Sequence, residues 1–144
     1  MAVLARVWAS TVLTITAQDP VIDQVRHELA AGAKRSHWMW FVFPQIAGLG
    51  RSPTAQFYAI RGREEGEAFA RHALLGLRLR ECTEAMLGWA GKRSAESVLG
   101  SIDALKLRSS MTLFDACAGA PAPFAQALDA FYAGVRDAAT LERL

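Results

Sequence analysis

Residues 34–45 form the segment that most constrains how this chain folds. They read Lys-Arg-Ser-His-Trp-Met-Trp-Phe-Val-Phe-Pro-Gln, so two Trp and two Phe lie within six consecutive residues. Aromatic side chains bury the most surface per residue, and a buried indole N–H needs a hydrogen-bond partner. We therefore expect this aromatic segment to lie in the core, in a pocket or in an interface.

Length and charge narrow the class of protein. A chain of 144 residues with 52% apolar and 21% charged residues is typical of one globular domain rather than of a disordered segment. The formal net charge is only +2, and the Arg residues between positions 61 and 80 alternate with Glu, so their local charges nearly cancel. A nucleic acid partner is therefore not expected.

The sequence also argues against membrane, metal and cofactor sites. No stretch approaches the roughly 18 apolar residues of a membrane span, and Ser10, Thr11 and Thr14 interrupt the run that a signal peptide would need. Cys82 and Cys117 are isolated, without metal-binding spacing, and the motifs of phosphate loops, dinucleotide sites and nucleophile elbows are missing. We expect a cytoplasmic protein with reduced thiols, no metal and no cofactor; its oligomeric state cannot be inferred.

Hydrophobic periodicity predicts a mainly α-helical, single compact domain of about six to eight helices. Asp19-Pro20 resembles an N-cap with the first helical residue, Ser101 a further cap, and Thr140 the cap of a last turn. Strand-like patterning is confined to the aromatic segment and residues 11–16. The expected helices are 20–31, 53–58, 63–72, 74–89, 94–99, 102–118 and 124–132.

A second unusual segment is residues 100–114. On a helix, Asp103, Lys106 and Ser110 share a stripe with apolar neighbours, and burying a charge is costly unless it is paired. Asp103 and Lys106, at i and i+3, can pair with each other. They can also meet polar groups of the aromatic segment, namely Lys34, Ser36, His37 and Gln45.

Two interpretations of this meeting point stay open. One is a buried ion pair that fixes the packing, and the other is a pocket with convergent polar groups beside an aromatic wall. In the pocket interpretation, His37 and Asp103 are the candidate catalytic residues for proton transfer. The candidate ligand-binding residues are Lys34, Ser36, Trp38, Trp40, Gln45, Arg78, Lys106, Ser110 and Thr112.

At these two segments the chain resembles the bacterial domain of unknown function 1810 family, also called the Rv-1873-like superfamily. The resemblance covers about residues 17–144 and implies a predominantly helical domain without supplying an activity. Some relatives carry the label calpastatin, although nothing here resembles that inhibitor's disordered repeats. The matching stretches are 17–18, 21–29, Gly32, Lys34, 36–45, 48–50, Ser52, 58–60, 75–79, 100–114, 131–132 and 140–141.

The start of the chain departs from the family, because Leu13-Thr14 stands where relatives have Arg-Phe. We therefore divide the chain into a divergent N-terminal segment, 1–16, and a helical domain, 17–144. The leading hypothesis is a domain that binds a small polar or anionic ligand, such as a nucleotide or sugar phosphate. An enzyme of this kind would be a hydrolase or glycosidase acting on a nucleotide-derived substrate. The alternative is a non-enzymatic protein-interaction module in which both segments are core.

Overall fold

A computed structural model describes residues 2–119 and 122–144, and within these ranges the backbone forms ten α-helices. The predicted helical fold class is confirmed, and six of the ten helices have seven residues or more. Within the same ranges, β-pairing is limited to one isolated bridge, between Ile46 and Ile60. The helices are α1 (Ala2–Gln18), α2 (Ile22–Ala31), α3 (Met39–Val42), α4 (Pro53–Tyr58), α5 (Arg63–Arg71), α6 (Leu75–Leu87), α7 (Ala95–Leu99), α8 (Ser101–Ala118), α9 (Phe124–Tyr132) and α10 (Ala138–Glu142).

Helix α8 lies at the centre and contacts α5, α7, α9 and α10. It is buried on several sides, as expected for a helix that is apolar nearly all round. Phe114 connects three helices, because its ring lies 5.3 Å from that of Phe69 in α5 and 5.9 Å from that of Phe124 in α9. These tilted aromatic contacts form the middle of the core.

Several helix termini differ from the sequence predictions. Helix α2 begins at Ile22 after Val21, so Asp19 is not its cap; the Asp19 carboxylate instead accepts a hydrogen bond from Arg78 at 2.9 Å. Thr140 lies inside α10 and is not its cap. The cap is Asp137, whose side chain accepts a hydrogen bond from the Thr140 backbone N–H. Ser101 likewise is the first residue of α8 rather than its cap.

Residues 11–16 are helical, so their strand-like patterning was misleading. They belong to α1, where the Thr11 and Thr16 hydroxyls donate to the carbonyls of Val7 and Val12, each at 2.8 Å. These bonds within the helix satisfy the hydroxyls of β-branched residues. Burial of Thr14 and Gln18 against the rest of the fold then favours the helix over its weak local preference.

The chain reverses after α2 and brings the aromatic segment to the start of α8. Gly32 has the left-handed φ of 68° that ends α2. Two residues later, the Lys34 backbone N–H donates to the Val98 carbonyl of α7 at 2.8 Å. This bond places residues 34–40 beside Gly100 and the first two turns of α8, where the candidate site forms.

Candidate functional site

A buried carboxylate organises the first half of the aromatic segment. Glu28 on α2 is 2% exposed and accepts hydrogen bonds from the backbone N–H groups of Arg35 (2.8 Å) and Ser36 (3.0 Å). It also accepts from the Ser36 hydroxyl, from the Trp38 indole N–H at 3.0 Å and from the Gln24 amide at 2.8 Å. One carboxylate thus connects α2 with three residues of the segment that leads into α3.

The protonation state of Glu28 follows from these contacts. Burial raises the pKa of this carboxyl, but the donors from Ser36, Arg35 and Gln24 outweigh burial and hold the pKa well below its ordinary value. Glu28 is therefore an anion at neutral pH. Glu28 was not among the predicted site residues, although it lies three residues after Val25 on the buried face of α2.

Lys34 joins the aromatic segment to α8. Its ammonium lies 2.8 Å from Asp103 Oδ2 and donates to the Ser36 carbonyl at 2.6 Å, and its side chain is only 7% exposed. The same nitrogen lies 4.9 Å from the centre of the Trp38 ring, within cation–π range. Its donors are thus directed at protein groups, which makes Lys34 chiefly a structural cation.

Lys106 is the more accessible cation of the pair. Its ammonium lies 3.5 Å from Asp103 Oδ1 and 5.0 Å from the centre of the Trp40 ring, and its side chain is 24% exposed. Within residues 2–119 and 122–144, the Lys106 ammonium makes no hydrogen bond. Asp103 thus lies between two lysines, each positioned over a tryptophan, and the three charges sum to +1.

An open groove of about 320 Å³ lies in front of these charges. Its walls come from the aromatic segment, from the end of α7 and from the first two turns of α8. Met39, Leu99 and Ile102 make much of the wall apolar. The lining residues are Lys34, His37, Met39, Trp40, Leu99, Gly100, Ser101, Ile102, Asp103 and Lys106.

Five of the eleven predicted site residues line this groove: Lys34, His37, Trp40, Asp103 and Lys106. Two others are sequence neighbours of residues that line it. Ser36 donates its hydroxyl to Glu28, and Trp38 is buried with its indole N–H on the same carboxylate. These two residues support the groove without lining it.

The remaining four predicted residues lie away from the groove. Arg78 donates to Gln18 and Asp19. Thr112 donates to the Arg108 carbonyl and accepts from the Asp137 N–H.

Gln45 lies beyond α3, where its carbonyl accepts from the Ile60 N–H. Ser110 is fully buried in the core, and its hydroxyl has no hydrogen-bond partner within the described ranges. The stripe expected along α8 therefore divides, because Asp103 and Lys106 reach the groove and Ser110 does not.

Other chemistry is sparse in the part of the chain that the structure describes. Within it, no group of three or more His, Cys, Asp or Glu could hold a metal ion, and no helix is long and apolar enough to cross a membrane. Burial raises the pKa of Cys82 to about 12 and raises that of Cys117 as well. Both thiols are therefore protonated at neutral pH.

Comparison with known proteins gives the family and no activity. No curated protein matches the chain. The conserved hypothetical protein Rv1873 from Mycobacterium tuberculosis, known from a crystal structure, is 47% identical to this chain in sequence. The two structures match with a TM-score of 0.87 over 91% of this chain and 93% of that one. The sequence model of DUF1810, a family of proteins of unknown function, matches residues 12–144. The chain therefore belongs to the DUF1810 family.

Proposed function

We propose that the groove between the aromatic segment and α8 binds a small anionic ligand, such as a nucleotide or a sugar phosphate. The observation that carries this proposal concerns the ammonium group of Lys106, which lines the open groove. Among the described residues, this ammonium makes no hydrogen bond. An ammonium has three donors, and those of Lys106 are available to an anion that enters the groove.

The charge distribution supports an anion rather than a cation. Asp103 is neutralised first by Lys34, whose ammonium is closer to it (2.8 Å) than that of Lys106 (3.5 Å) and is more deeply buried. Lys106 therefore carries the net positive charge of the groove. Partial burial of this charge strengthens its attraction for an anion relative to a lysine in bulk water.

The shape and walls of the groove also support a small ligand. A volume of about 320 Å³ lies at the lower end of the range for small-molecule sites, which are mostly apolar with a few polar groups. Half-buried Trp40 offers an aromatic wall for a base or for the carbon face of a sugar. The Lys106 ammonium over this ring would lie beside the same part of the ligand.

The interaction-module alternative predicts a sealed core in which both segments only pack. Trp38 and Phe43 fit that description, since both are almost fully buried. His37, Asp103 and Lys106 fit the ligand hypothesis better, because all three line the open groove. For a hydrolase or glycosidase, His37 or Asp103 would be the proton-transfer group.

Thermal unfolding in the presence of glucose 1-phosphate and of 3′-AMP tests this proposal. A ligand at about 100 times its dissociation constant adds roughly 2.7 kcal/mol to stability, which corresponds to a rise of several degrees in Tm. We expect at least one of the two compounds to stabilise the wild-type protein. Lys106→Met should abolish the response, because it removes the cation and keeps the aliphatic stem.

Lys92→Met is the matched control. Lys92 is an exposed lysine in the turn between α6 and α7, and its replacement changes the net charge by the same amount. We expect this variant to respond like the wild type. Equal loss in both variants would indicate a nonspecific charge effect, and no response in the wild type would contradict the proposal for these ligands.

A further inference from the structure

The two carboxylate oxygens of Asp103 have different partners. Oδ2 lies 2.8 Å from the Lys34 ammonium, which is itself buried and fixed by the Ser36 carbonyl. Oδ1 has only the longer contact of 3.5 Å with Lys106 and accepts no hydrogen bond within the described ranges. One oxygen thus anchors the side chain, and the other is a free acceptor on the groove wall.

From this asymmetry we infer that the ligand carries a hydroxyl group on the carbon next to the one that bears its anionic group. The inference rests on the proposed function, since it assigns the anionic group to Lys106. The hydroxyl donates its hydrogen to Asp103 Oδ1, and an anionic oxygen accepts from Lys106 Nζ.

The spacing of the two protein atoms sets the spacing of the two ligand groups. Charge-assisted hydrogen bonds place a ligand oxygen about 2.5–2.9 Å from Asp103 Oδ1 or Lys106 Nζ, and these two atoms are themselves 3.5 Å apart. When both hydrogen bonds point the same way into the groove, the two ligand oxygens lie about as far apart as the two protein atoms. A phosphate ester with a hydroxyl on the adjacent carbon, the arrangement found in many sugar phosphates, meets this requirement.

Asp103 also acts against ligands that lack the hydroxyl. A simple anion at Lys106 would meet the Asp103 carboxylate without a hydrogen between them, and two negative oxygens in close contact repel. The hydroxyl turns this repulsion into a hydrogen bond. Asp103 is thus a specificity-determining residue that selects hydroxylated anions over plain ones.

The test compares 2-hydroxypropyl phosphate with propyl phosphate, which differ only in the hydroxyl group. Binding to the wild-type protein is followed by NMR titration of the Trp40 indole N–H. We expect the hydroxylated ester to bind about tenfold more tightly, the effect of one hydrogen bond to a charged group. Equal affinities would overturn the inference and leave the proposed function standing. No binding of either ester at Lys106 would contradict both.

A pair of variants assigns the preference to Asp103. Lys34→Met with Asp103→Ala removes both members of the buried ion pair, so that no unpaired charge remains in the core. We expect its affinity ratio for the two esters to fall to about one. Lys34→Met alone retains the Asp103 carboxylate and should retain the preference. A preference that persists in the double variant would overturn the role of Asp103, and the comparison on the wild type holds whether or not either variant folds.

Discussion

Lys34 and Asp103 join the aromatic segment to α8 through an ion pair of 2.8 Å between side chains that are 7% and 18% exposed. Lys34 and Asp103 are 69 positions apart in sequence, so their opposite charges join two distant parts of the chain at the inner edge of the groove. The pair contributes to the packing of the fold and also to the electrostatics of the groove. Its stability effect and its effect on ligands can be separated by mutation.

Lys34→Met should destabilise the fold by about 2 kcal/mol. Breaking a buried ion pair costs about 3–5 kcal/mol because one charge is left unpaired, and Lys106 remains close enough to offset part of that cost for Asp103. Urea denaturation measures the difference. The double variant Lys34→Met with Asp103→Leu should recover most of the lost stability, and an unchanged midpoint in the single variant would show that the pair does not contribute.

The two tryptophans of the aromatic segment should separate stability from binding. Trp38 is 1% exposed, so Trp38→Ala should cost about 3–5 kcal/mol from lost burial and the cavity left behind. Trp40 is half-buried on the groove wall, so Trp40→Ala should cost clearly less and should weaken the response to sugar phosphates. Melting curves with and without glucose 1-phosphate test both statements, and equal stability losses would contradict the assignment of Trp40 to the wall.

The sequence was sufficient to predict the helical fold class and the meeting of the two unusual segments. Apolar residues at helical spacing predicted the helix 74–89, and in α6 the residues Leu75, Leu79 and Met86 are buried. Charges on an apolar helix required partners, and Lys34 was among the partners named for Asp103. Both inferences follow from the cost of exposing apolar surface or of burying an unpaired charge.

The sequence was not sufficient where tertiary contacts decide. Arg78 is positioned by hydrogen bonds to Gln18 and Asp19, which are distant from it in sequence. The burial of Ser110 depends on which side of α8 faces the neighbouring helices. Glu28 was missed because a glutamate on an amphipathic helix is usually solvated. A detectable signal was its place three residues after Val25, on the apolar stripe of α2.

Gly32 and Gly91 allow a matched test of backbone strain against steric contact. Both have positive φ, 68° and 77°, but a Cβ on Gly32 would lie 2.7 Å from the Trp89 ring, whereas a Cβ on Gly91 would have no atom within 4 Å. Gly91→Ala should cost about 1 kcal/mol, the effect of left-handed backbone alone. Gly32→Ala should cost at least about 1 kcal/mol more, and equal losses on denaturation would show that the Trp89 ring moves aside freely.

Glu28→Gln should destabilise the fold most at neutral pH and least in acid. The glutamine keeps the volume but places an NH₂ group against several donors, so a loss of about 3 kcal/mol is expected from unsatisfied buried groups. The native pKa of Glu28 is lowered, so the contribution of its charge is fully present above the ordinary carboxyl pKa of about 4.3. It is lost progressively as the pH falls from there toward the native value. Urea denaturation measures the difference in unfolding free energy between the wild type and Glu28→Gln. This difference should be constant between about pH 6 and 7.5 and should shrink between about pH 4.5 and 3. A difference that does not change with pH would show that the ionised carboxylate is not what holds the aromatic segment.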